Sequence, residues 1–351
     1  MPKDSIISSR RSLIKNAFKV AGFGAAARIL PIGIAGSGAV AQSETETGPS
    51  ENRGSTLILL GTQGGPAVTL TRSQTASLLL AGDRQYLVDC GYGTLRALVQ
   101  ARVGFNNLSI IFLTHLHNDH TADIAALLSL KWTSGRARET NVYGPFGTAA
   151  LVESAIAFFK ADTEIRIVNE GRTVRPESLF HGHDFEVSGV TEVFRDDRVV
   201  VKAAENTHFP ERAKNRMPYR SLAHRFDMAD RSIVFSGDTS YSHDLVVLAR
   251  NADVFVCETI GVPRPQQRAH FMKPTAGNKE SIGRHVFETH STTEDVGRMA
   301  AEANVNTVVL NHLVGGGTSK TAMESFESGL VESVHQFFKG KVIVGRDQMR
   351  I

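Results

Sequence analysis

Apolar residues between positions 56 and 89 fall into three short runs. These runs precede the first stretch with helical spacing. The runs Thr56–Leu60, Ala76–Leu80 and Gln85–Asp89 are separated by polar and glycine-containing turns, which is typical of β-strands. Thr94–Arg102 has the spacing of a helix. The β-branched apolar run Leu108–Thr114 then predicts a buried strand.

The same progression occurs again further along the chain. Further strands are predicted at Val199–Ala203, Ser232–Phe235, Val254–Glu258, Thr307–Leu310 and Lys341–Val344. Further helices are predicted at Asp123–Trp132, Thr148–Phe159, Thr293–Glu302 and Thr321–Phe338. In each half of the chain, strands come first and then alternate with helices. This order predicts two sheets with helices outside them. We therefore expect one domain of the α/β (α+β) class over residues 55–351, without an internal repeat of 20–50 residues.

The N-terminal region has the features of an export signal. Ser9-Arg10-Arg11-Ser12-Leu13-Ile14-Lys15 resembles the bacterial twin-arginine signal, and an Ala/Gly-rich stretch follows it. Ala39-Val40-Ala41 matches a small-x-small cleavage pattern. We expect a signal peptide over residues 1–41 and a periplasmic or otherwise exported bacterial protein. The twin-arginine export machinery would then be a partner of the chain.

Two further features of the N-terminal region bear on the expectation of a signal peptide. Residues 42–54 are polar and lack an apolar period, so we expect a flexible linker. Lys19 and Arg28 interrupt the apolar stretch, which leaves a disordered or amphipathic extension as the alternative to a signal peptide.

Composition and charge exclude some classes of protein. The chain has 351 residues, 41% of them hydrophobic and 21% charged, which is typical of a soluble domain with a full core. It lacks a run of about twenty apolar residues, so we expect no membrane span. The net charge is +3, but residues 1–41 carry +5, which leaves −2 on the remainder. A slightly acidic body disfavours a general nucleic-acid binder.

The two cysteines, Cys90 and Cys257, each end an apolar run. We expect two buried cysteines that pack as small apolar groups. The sequence leaves a disulfide between them open.

Four potential metal ligands occur within six residues, directly after the predicted strand Leu108–Thr114: His115, His117, Asp119 and His120. Alternation in an extended segment points His115 and His117 to the same side. The chain then turns, so Asp119 and His120 can face a second point nearby. Imidazoles mixed with a carboxylate suit a catalytic zinc site better than a closed structural one.

Six residues do not complete two four-coordinate sites, so further ligands must come from elsewhere. His208, Asp238 and His312 each follow a predicted strand. Strand ends followed by loops are the places where such ligands gather, and we expect all three at the metal site.

Together these motifs resemble the metallo-β-lactamase superfamily, and within it the branch of ribonuclease Z, related arylsulfatases and cyclic-nucleotide phosphodiesterases. The resemblance covers residues 56–351. Its motifs are Leu60-Gly61-Thr62, Val88-Asp89-Cys90-Gly91, the His-x-His-x-Asp-His run, Ser236-Gly237-Asp238-Thr239, His290-Ser291-Thr292, Leu310-Asn311-His312-Leu313 and Gly345-Arg346-Asp347. It implies a four-layer αββα sandwich with metals at one edge of the two sheets.

The resemblance also implies roles for single residues. His115, His117 and His208 would hold one metal; Asp119, His120 and His312 would hold the second; and Asp238 would bridge them. Two zinc ions are expected, with manganese or iron as alternatives. Asp119 would orient the attacking water or accept its proton, and His290 would protonate the leaving group. The alternative for His290 is a histidine that merely precedes a helix.

Several other residues have two interpretations. Asp89 either supports a ligand histidine or is a turn residue. Gly315-Gly316-Gly317 either approaches an anionic substrate or forms a loop. The polar segment Pro263–Arg284 is either a lid or disordered. The remaining histidines are expected to be surface or structural residues: His181, His183, His224, His243, His270, His285 and His335.

The expected substrate is a small anionic ester, either an aryl or alkyl sulfate or a phosphodiester such as a cyclic nucleotide. The alternatives are a lactonase or other carboxyl-ester hydrolase, a ribonuclease Z-like phosphodiesterase, and a non-catalytic metal-binding protein of the cell envelope. Export, an acidic body and the short segment between His208 and Asp238, where the family's tRNA-gripping arm would be inserted, argue against tRNA. A homodimer is possible by the family resemblance.

Overall fold

The computed structural model describes residues 54–135, 138–261, 285–315 and 320–351. The predictions for the signal peptide, for linker residues 42–53, for the segment 263–284 with His270, and for residues 316–317 lie outside the described residues. Within the described part of the chain, no helix combines the length and the apolar character needed to span a membrane.

The first sheet contains six strands in the order β1-β2-β3-β4-β5-β6. Strands β1 to β3 are antiparallel, and β3 to β6 are parallel. Their bounds are Thr56–Gly61, Ala76–Ala81, Arg84–Val88, Ile110–Phe112, Thr140–Gly144 and Phe180–Asp184.

The second sheet contains seven strands in the order β13-β12-β11-β10-β9-β8-β7. Strands β7 to β10 are antiparallel, and β10 to β13 are parallel, so this sheet repeats the plan of the first. Their bounds are Thr191–Arg195, Val199–Glu205, Leu222–Met228, Ser232–Phe235, Val254–Thr259, Thr307–Leu313 and Lys341–Val344.

Nine α-helices are defined among the described residues. Helices α1 to α5 follow strands of the first sheet, and α6 to α9 follow strands of the second. Their bounds are Thr94–Gln100, Asn118–Thr121, Ile124–Thr133, Thr148–Phe158, Lys160–Glu170, Glu211–Lys214, His243–Ala249, Thr293–Glu302 and Lys320–Val334. A further helical segment covers residues 285–289.

Strand β1 shows how the layers are built. Leu57 and Leu59 belong to the core between the two sheets, whereas Ile58 and Leu60 belong to the core under helices α1, α3 and α4. Because successive side chains point to opposite faces, a strand buried on both faces must be apolar throughout. A third core packs α7, α8 and α9 against the outer face of the second sheet. These cores give the four-layer αββα arrangement, which confirms the expected fold class.

Both cysteines are buried and free, as expected from their apolar surroundings. Cys90 lies in the core under the helices of the first sheet, and Cys257 lies in the core outside the second sheet. The two sheets lie between these cores, so the alternative of a disulfide between the cysteines is wrong.

The sequence prediction lacked strands β5, β6 and β7 and helices α5 and α7. Strands β6 and β7 are only half-buried, and their sequences, Phe-His-Gly-His-Asp and Thr-Glu-Val-Phe-Arg, lack a continuous apolar run. Helix α5 is amphipathic but largely exposed, with Thr163 as its buried residue. Weak burial explains why β6, β7 and α5 were missed. Strand β5 and helix α7 are largely buried but short, five and seven residues, so they offer too little of a periodic pattern to identify.

Backbone pairing joins the two sheets at one edge. The Leu222 amide donates to the Thr114 carbonyl at 2.8 Å, and the Leu313 amide donates to the Thr62 carbonyl at 2.8 Å. Thr62 and Thr114 follow β1 and β4, whereas Leu222 and Leu313 lie in β9 and β12. These bonds fix the ends of strands from both sheets against each other.

The buried His224 of β9 generates a prediction about acid stability. Its ring is surrounded by Phe112 and Phe185, and neither ring nitrogen has a hydrogen-bond partner among the described residues. Burial lowers the pKa of His224 to about 3. An unfolded histidine has a pKa of about 6.5, so below that pH the unfolded chain binds a proton that the folded chain does not.

The stability associated with His224 is therefore present above pH 6.5 and decreases as the pH falls toward 3. Between pH 7 and pH 5 we expect the natural protein to lose about 2 kcal/mol more free energy of unfolding than His224→Leu. Urea titrations of both proteins at the two pH values measure this difference. Equal losses in the two proteins would show that this histidine does not stay neutral in the core.

Candidate metal centre

The His115–His120 segment changes conformation within the motif. It leaves β4 in an extended conformation, and His117 is still extended, with φ −65° and ψ 151°. Asp119 and His120 lie in the single turn of α2. The change from strand to helix therefore directs the two halves of the motif to two neighbouring points, as the sequence predicts.

The first point gathers His115, His117, His208 and Asp238, whose potential ligand atoms lie within 4.8 Å of one another. His117 Nδ1 is 3.1 Å from both His115 Nε2 and His208 Nε2. Asp238 Oδ2 lies 3.7 Å from His115 Nε2. The three imidazoles thus converge on one space beside a carboxylate.

The second point gathers Asp119, His120, Asp238 and His312 within the same limit of 4.8 Å. His120 Nε2 is 3.2 Å from Asp238 Oδ1, and His312 Nε2 is 3.2 Å from Asp238 Oδ2. Asp119 Oδ2 is also 3.2 Å from His312 Nε2. The structure therefore brings all seven predicted ligands together, in the predicted grouping, with Asp238 common to both clusters.

These residues fit a pair of divalent cations. His120 Nε2 and Asp238 Oδ1 are buried and have no hydrogen-bond partner among the described residues. Unsatisfied buried polar atoms are costly, and a cation between them removes that cost. Five imidazoles and two carboxylates are the donors that zinc prefers in catalytic sites.

Two of the histidines are held by hydrogen bonds from their other ring nitrogen. His120 Nδ1 is 2.8 Å from Asp89 Oδ2, and His208 Nδ1 is 3.1 Å from the Thr289 carbonyl oxygen. Asp89 also accepts from the Thr114 amide at 2.8 Å. Such contacts place the proton on Nδ1 and leave Nε2 free for a metal. Of the two interpretations of Asp89, this geometry favours support of a ligand histidine.

His290 lies beside both clusters and pairs with Glu258. Its Nδ1 is 2.9 Å from Glu258 Oε1, and Glu258 Oε1 also accepts from the Thr239 amide at 2.6 Å. Burial would lower the pKa of His290, but the charge of Glu258 and the hydrogen bond to it raise that pKa. A histidine with a raised pKa holds a proton near neutral pH, which a general acid requires. Helix α8 is capped by Thr292 rather than by His290.

Sequence reasoning missed two residues of the site. Glu258 is 2% exposed and ends the buried strand β11. An acidic residue at the end of an apolar strand was the available signal, and it is the same signal that led to Asp238. His285 was expected to be a surface or structural residue, and the structure corrects this: it groups with His208 and His290. Its spacing carried no signal, because its neighbours in the fold are remote in sequence.

The turn after β1 passes directly over the second cluster. A Cβ on Gly64 would lie 2.7 Å from His312 Nδ1, and a Cβ on Gly65 would lie 1.9 Å from Asp119 Oδ2. Asp347 fixes this turn, because its carboxylate accepts from the Thr62 amide at 3.0 Å and from the Ser73 amide at 2.6 Å. The weak Gly345-Arg346-Asp347 motif thus positions the loop that covers the site.

Comparison with known proteins decides the family. Residues 84–313 match the model of the β-lactamase superfamily domain. A ribonuclease Z of Mycobacterium sp. (strain KMS) is 32% identical over 264 residues, which cover 73% of this chain and 83% of the relative. The chain belongs to the metallo-β-lactamase superfamily.

Two solved structures share the fold of this superfamily member. The metallo-β-lactamase fold protein YhfI from Bacillus subtilis aligns with a TM-score of 0.60 at 20% identity, over 85% of this chain and 100% of that one. The short form of human tRNase Z aligns with a TM-score of 0.59 at 21% identity, over 84% of this chain and 98% of that one. At this identity the likeness shows the fold alone.

The close approach of Gly65 generates a prediction about metal affinity. Gly65→Ala would place a methyl group against Asp119 and displace this carboxylate from the second cluster. We expect zinc affinity to fall by about 10- to 100-fold, as for other changes beside metal ligands. Competition with a chromogenic chelator measures the affinity. Gly104→Ala is the matched control, because its nearest neighbour is 3.6 Å away; equal affinities for the two variants would contradict the assignment of Asp119.

Proposed function

We propose that this chain is a metal-dependent phosphodiester hydrolase of the ribonuclease Z type, and that its two ligand clusters hold a pair of zinc ions. The observation that carries the proposal is the pair of clusters sharing Asp238, with the His290–Glu258 pair beside them. This arrangement combines metal ligands with a separate proton donor, which hydrolysis of an ester requires.

The relatives favour a phosphodiester over a sulfate ester. The curated relatives reported above are named ribonuclease Z, an enzyme of phosphodiester bonds. From the sequence alone, a sulfate ester or a small phosphodiester is the expected substrate, and a ribonuclease Z-like activity is an alternative. We now place the phosphodiester first, and retain a sulfate ester as an arm of the test.

The size of the substrate is a separate matter. Between His208 and Asp238 the chain forms only the short helix α6 and the β9–β10 hairpin. The family resemblance places the tRNA-gripping arm in this interval, so a tRNA would lack that contact here. We therefore propose phosphodiester chemistry on a substrate that does not depend on such an arm.

The residues of the site have different roles in the proposed hydrolysis. A bound pair of zinc ions supplies Lewis acidity and activates water near neutral pH. Burial would raise the pKa of Asp119, but the charge of His120 and the hydrogen bond with His312 lower it, so Asp119 stays ionised and can accept a hydrogen bond from the attacking water. As the water oxygen bonds to phosphorus and the ester P–O bond breaks, His290 donates a proton to the departing oxygen. Glu258 positions His290 for this step.

The first test compares ester classes on the zinc-loaded protein. We expect turnover of bis(p-nitrophenyl) phosphate to exceed that of p-nitrophenyl sulfate and p-nitrophenyl acetate, because the site is proposed to stabilise a phosphoryl transition state. A tRNA precursor with a 3′ trailer forms a fourth arm. Asp238→Ala should lose bound zinc, measured by elemental analysis, and phosphodiester turnover together. Preference for the sulfate or the carboxylate ester would overturn the proposed substrate class.

His290→Ala separates the proton donor from the metal ligands within the same assay. It should keep its zinc and lose about 10²- to 10⁴-fold in rate on a dinucleotide, whose leaving alkoxide needs a proton. The loss should be much smaller on bis(p-nitrophenyl) phosphate, because p-nitrophenolate leaves without one. Loss of zinc, or equal losses on both substrates, would contradict the role of His290.

We also propose that the protein is exported by the twin-arginine route, on the evidence of the Arg10-Arg11 motif and the Ala39-Val40-Ala41 pattern. Replacing both arginines by lysine should retain the protein in the cytoplasm, because the paired arginines are the feature that the export route recognises. Cell fractionation in a bacterial host measures the distribution. Unchanged export of the double variant would contradict this proposal.

A further inference from the structure

A cavity of about 440 Å³ opens beside the first ligand cluster, next to His117. Helix α4 forms one wall, and the residues that follow His208 form the other. The side chains that give the cavity its apolar character are Leu116, Ala150, Leu151, Phe209, Met217 and Tyr219. Because His117 is also part of the lining, a ligand in the cavity contacts the metal centre directly.

The cavity is unsuited to an anion. Among the described residues that line it there is no lysine, arginine, aspartate or glutamate. The N-terminus of α4 does not provide an anion site either, because Asp184 already accepts from the amides of Gly147 at 3.0 Å and Ala149 at 2.9 Å. A phosphoryl group or a second phosphate of a polynucleotide would therefore lie at the metal centre and not in this cavity.

The local backbone keeps the cavity open. Gly147 has φ 99°, and a Cβ there would lie 2.9 Å from Tyr219 Cε1 and 3.0 Å from Leu116 Cδ1. Phe209 is 8% exposed and packs edge-on to the His117 ring, with ring centroids 5.5 Å apart. Tyr219 is 44% exposed at the rim and contacts Phe146. Aromatic side chains in the lining favour packing against a flat ring.

The lining of the cavity includes residues of the first cluster but not the proton-donating pair. His290 and Glu258, which serve the leaving group in the proposed reaction, do not line it, whereas His117 and Phe209 do. Its volume exceeds the roughly 150 Å³ that holds a benzene molecule in an engineered core, so a substituted ring can enter.

We propose that this cavity binds a planar aromatic ring on the ester group that stays attached to phosphorus. The proposal rests on the proposed phosphodiester hydrolysis and names its substrate class: a phosphodiester with an aromatic group on the side away from His290. The ring belongs either to a simple aryl ester or to a nucleobase, and the two sources share the same flat, uncharged chemistry.

Three substrates with the same p-nitrophenolate leaving group test the proposal on the zinc-loaded protein. The second ester group is methyl, phenyl or thymidine 5′. We expect kcat/KM for the phenyl or the thymidine ester to exceed that for the methyl ester by about 10- to 200-fold, the range that apolar pockets provide. A higher value for phenyl identifies an aryl ester, and a higher value for thymidine identifies a nucleobase. Equal values for all three would overturn the proposal.

A matched pair of variants tests whether the preference for an aromatic ester arises in the cavity. Ala150 lines the cavity and Ala157 does not, although both are exposed on α4, about 10 Å apart along its axis. Ala150→Trp should reduce the ratio of aromatic to methyl kcat/KM at least tenfold, and Ala157→Trp should leave that ratio unchanged. An unchanged ratio in Ala150→Trp would overturn the assignment, and because the readout is a ratio, a general loss of folding does not alter it.

Binding without turnover separates this inference from the proposed function. Phenylphosphonate should bind the zinc-loaded protein at least tenfold more tightly than methylphosphonate in calorimetry, and Ala150→Trp should remove the difference. If no phosphodiester is hydrolysed but this difference is found, the hydrolytic proposal fails and the cavity assignment stands. If phosphodiesters are hydrolysed but the two phosphonates bind equally, the cavity assignment fails.

Discussion

The buried carboxylate of Asp238 is the group on which the arrangement of this protein depends. It is 2% exposed and is shared by two sets of side chains, each of which combines residues from both sheets: His115 and His117 with His208, and Asp119 and His120 with His312. Burial would raise the pKa of Asp238, but the charges of His312 and His120 lower it, so the carboxylate stays ionised. A buried negative charge surrounded by imidazole nitrogens is stable only if a cation or protons compensate it. The two sheets must therefore meet closely at this edge, where the Leu222 and Leu313 amides bond to the Thr114 and Thr62 carbonyls.

That constraint explains features that seem unrelated in the sequence. The amide of Leu222 in the second sheet bonds the carbonyl of Thr114, immediately before His115. Asp347 ties down the turn that leads to Gly65, which touches Asp119. Each of these contacts lies one residue or one turn from a ligand. They show that the site constrains the ends of the strands more than their centres.

The sequence predicted the two sheets and the metal ligands for the same physical reason. Apolar runs identify buried strands, and polar residues directly after them identify the edge where a site forms. His115 and Asp238 follow that rule; His312 follows the predicted run Thr307–Leu310 but lies inside the longer strand β12, Thr307–Leu313. Glu258 follows it too, but an acidic residue at a strand end is common and was left unassigned. His285 could not be found this way, because it lies beside His208, a residue remote from it in sequence, and no local pattern marks it.

The two groups of residues beside the ligand clusters differ in polarity. The His290–Glu258 pair is polar and can deliver a proton, whereas the wall formed by Phe209 and Leu151 has no charged group among the described residues. An asymmetric diester would bind in the orientation that places its polar departing group toward the first and its apolar group toward the second. In the proposed reaction, the shape of the site would select which of the two ester bonds is cut.

The position of the ligands along the chain has a consequence for biosynthesis. His115 and His312 are 197 residues apart, and the last residues of the chain complete the sheets: β13 flanks β12, and Ile351 pairs with Leu57 of β1. A nascent chain therefore cannot form the second cluster until His312 has been synthesised, nor complete the second sheet around it until β13 pairs with β12. Any metal that the second cluster holds would be bound only after this late segment has folded.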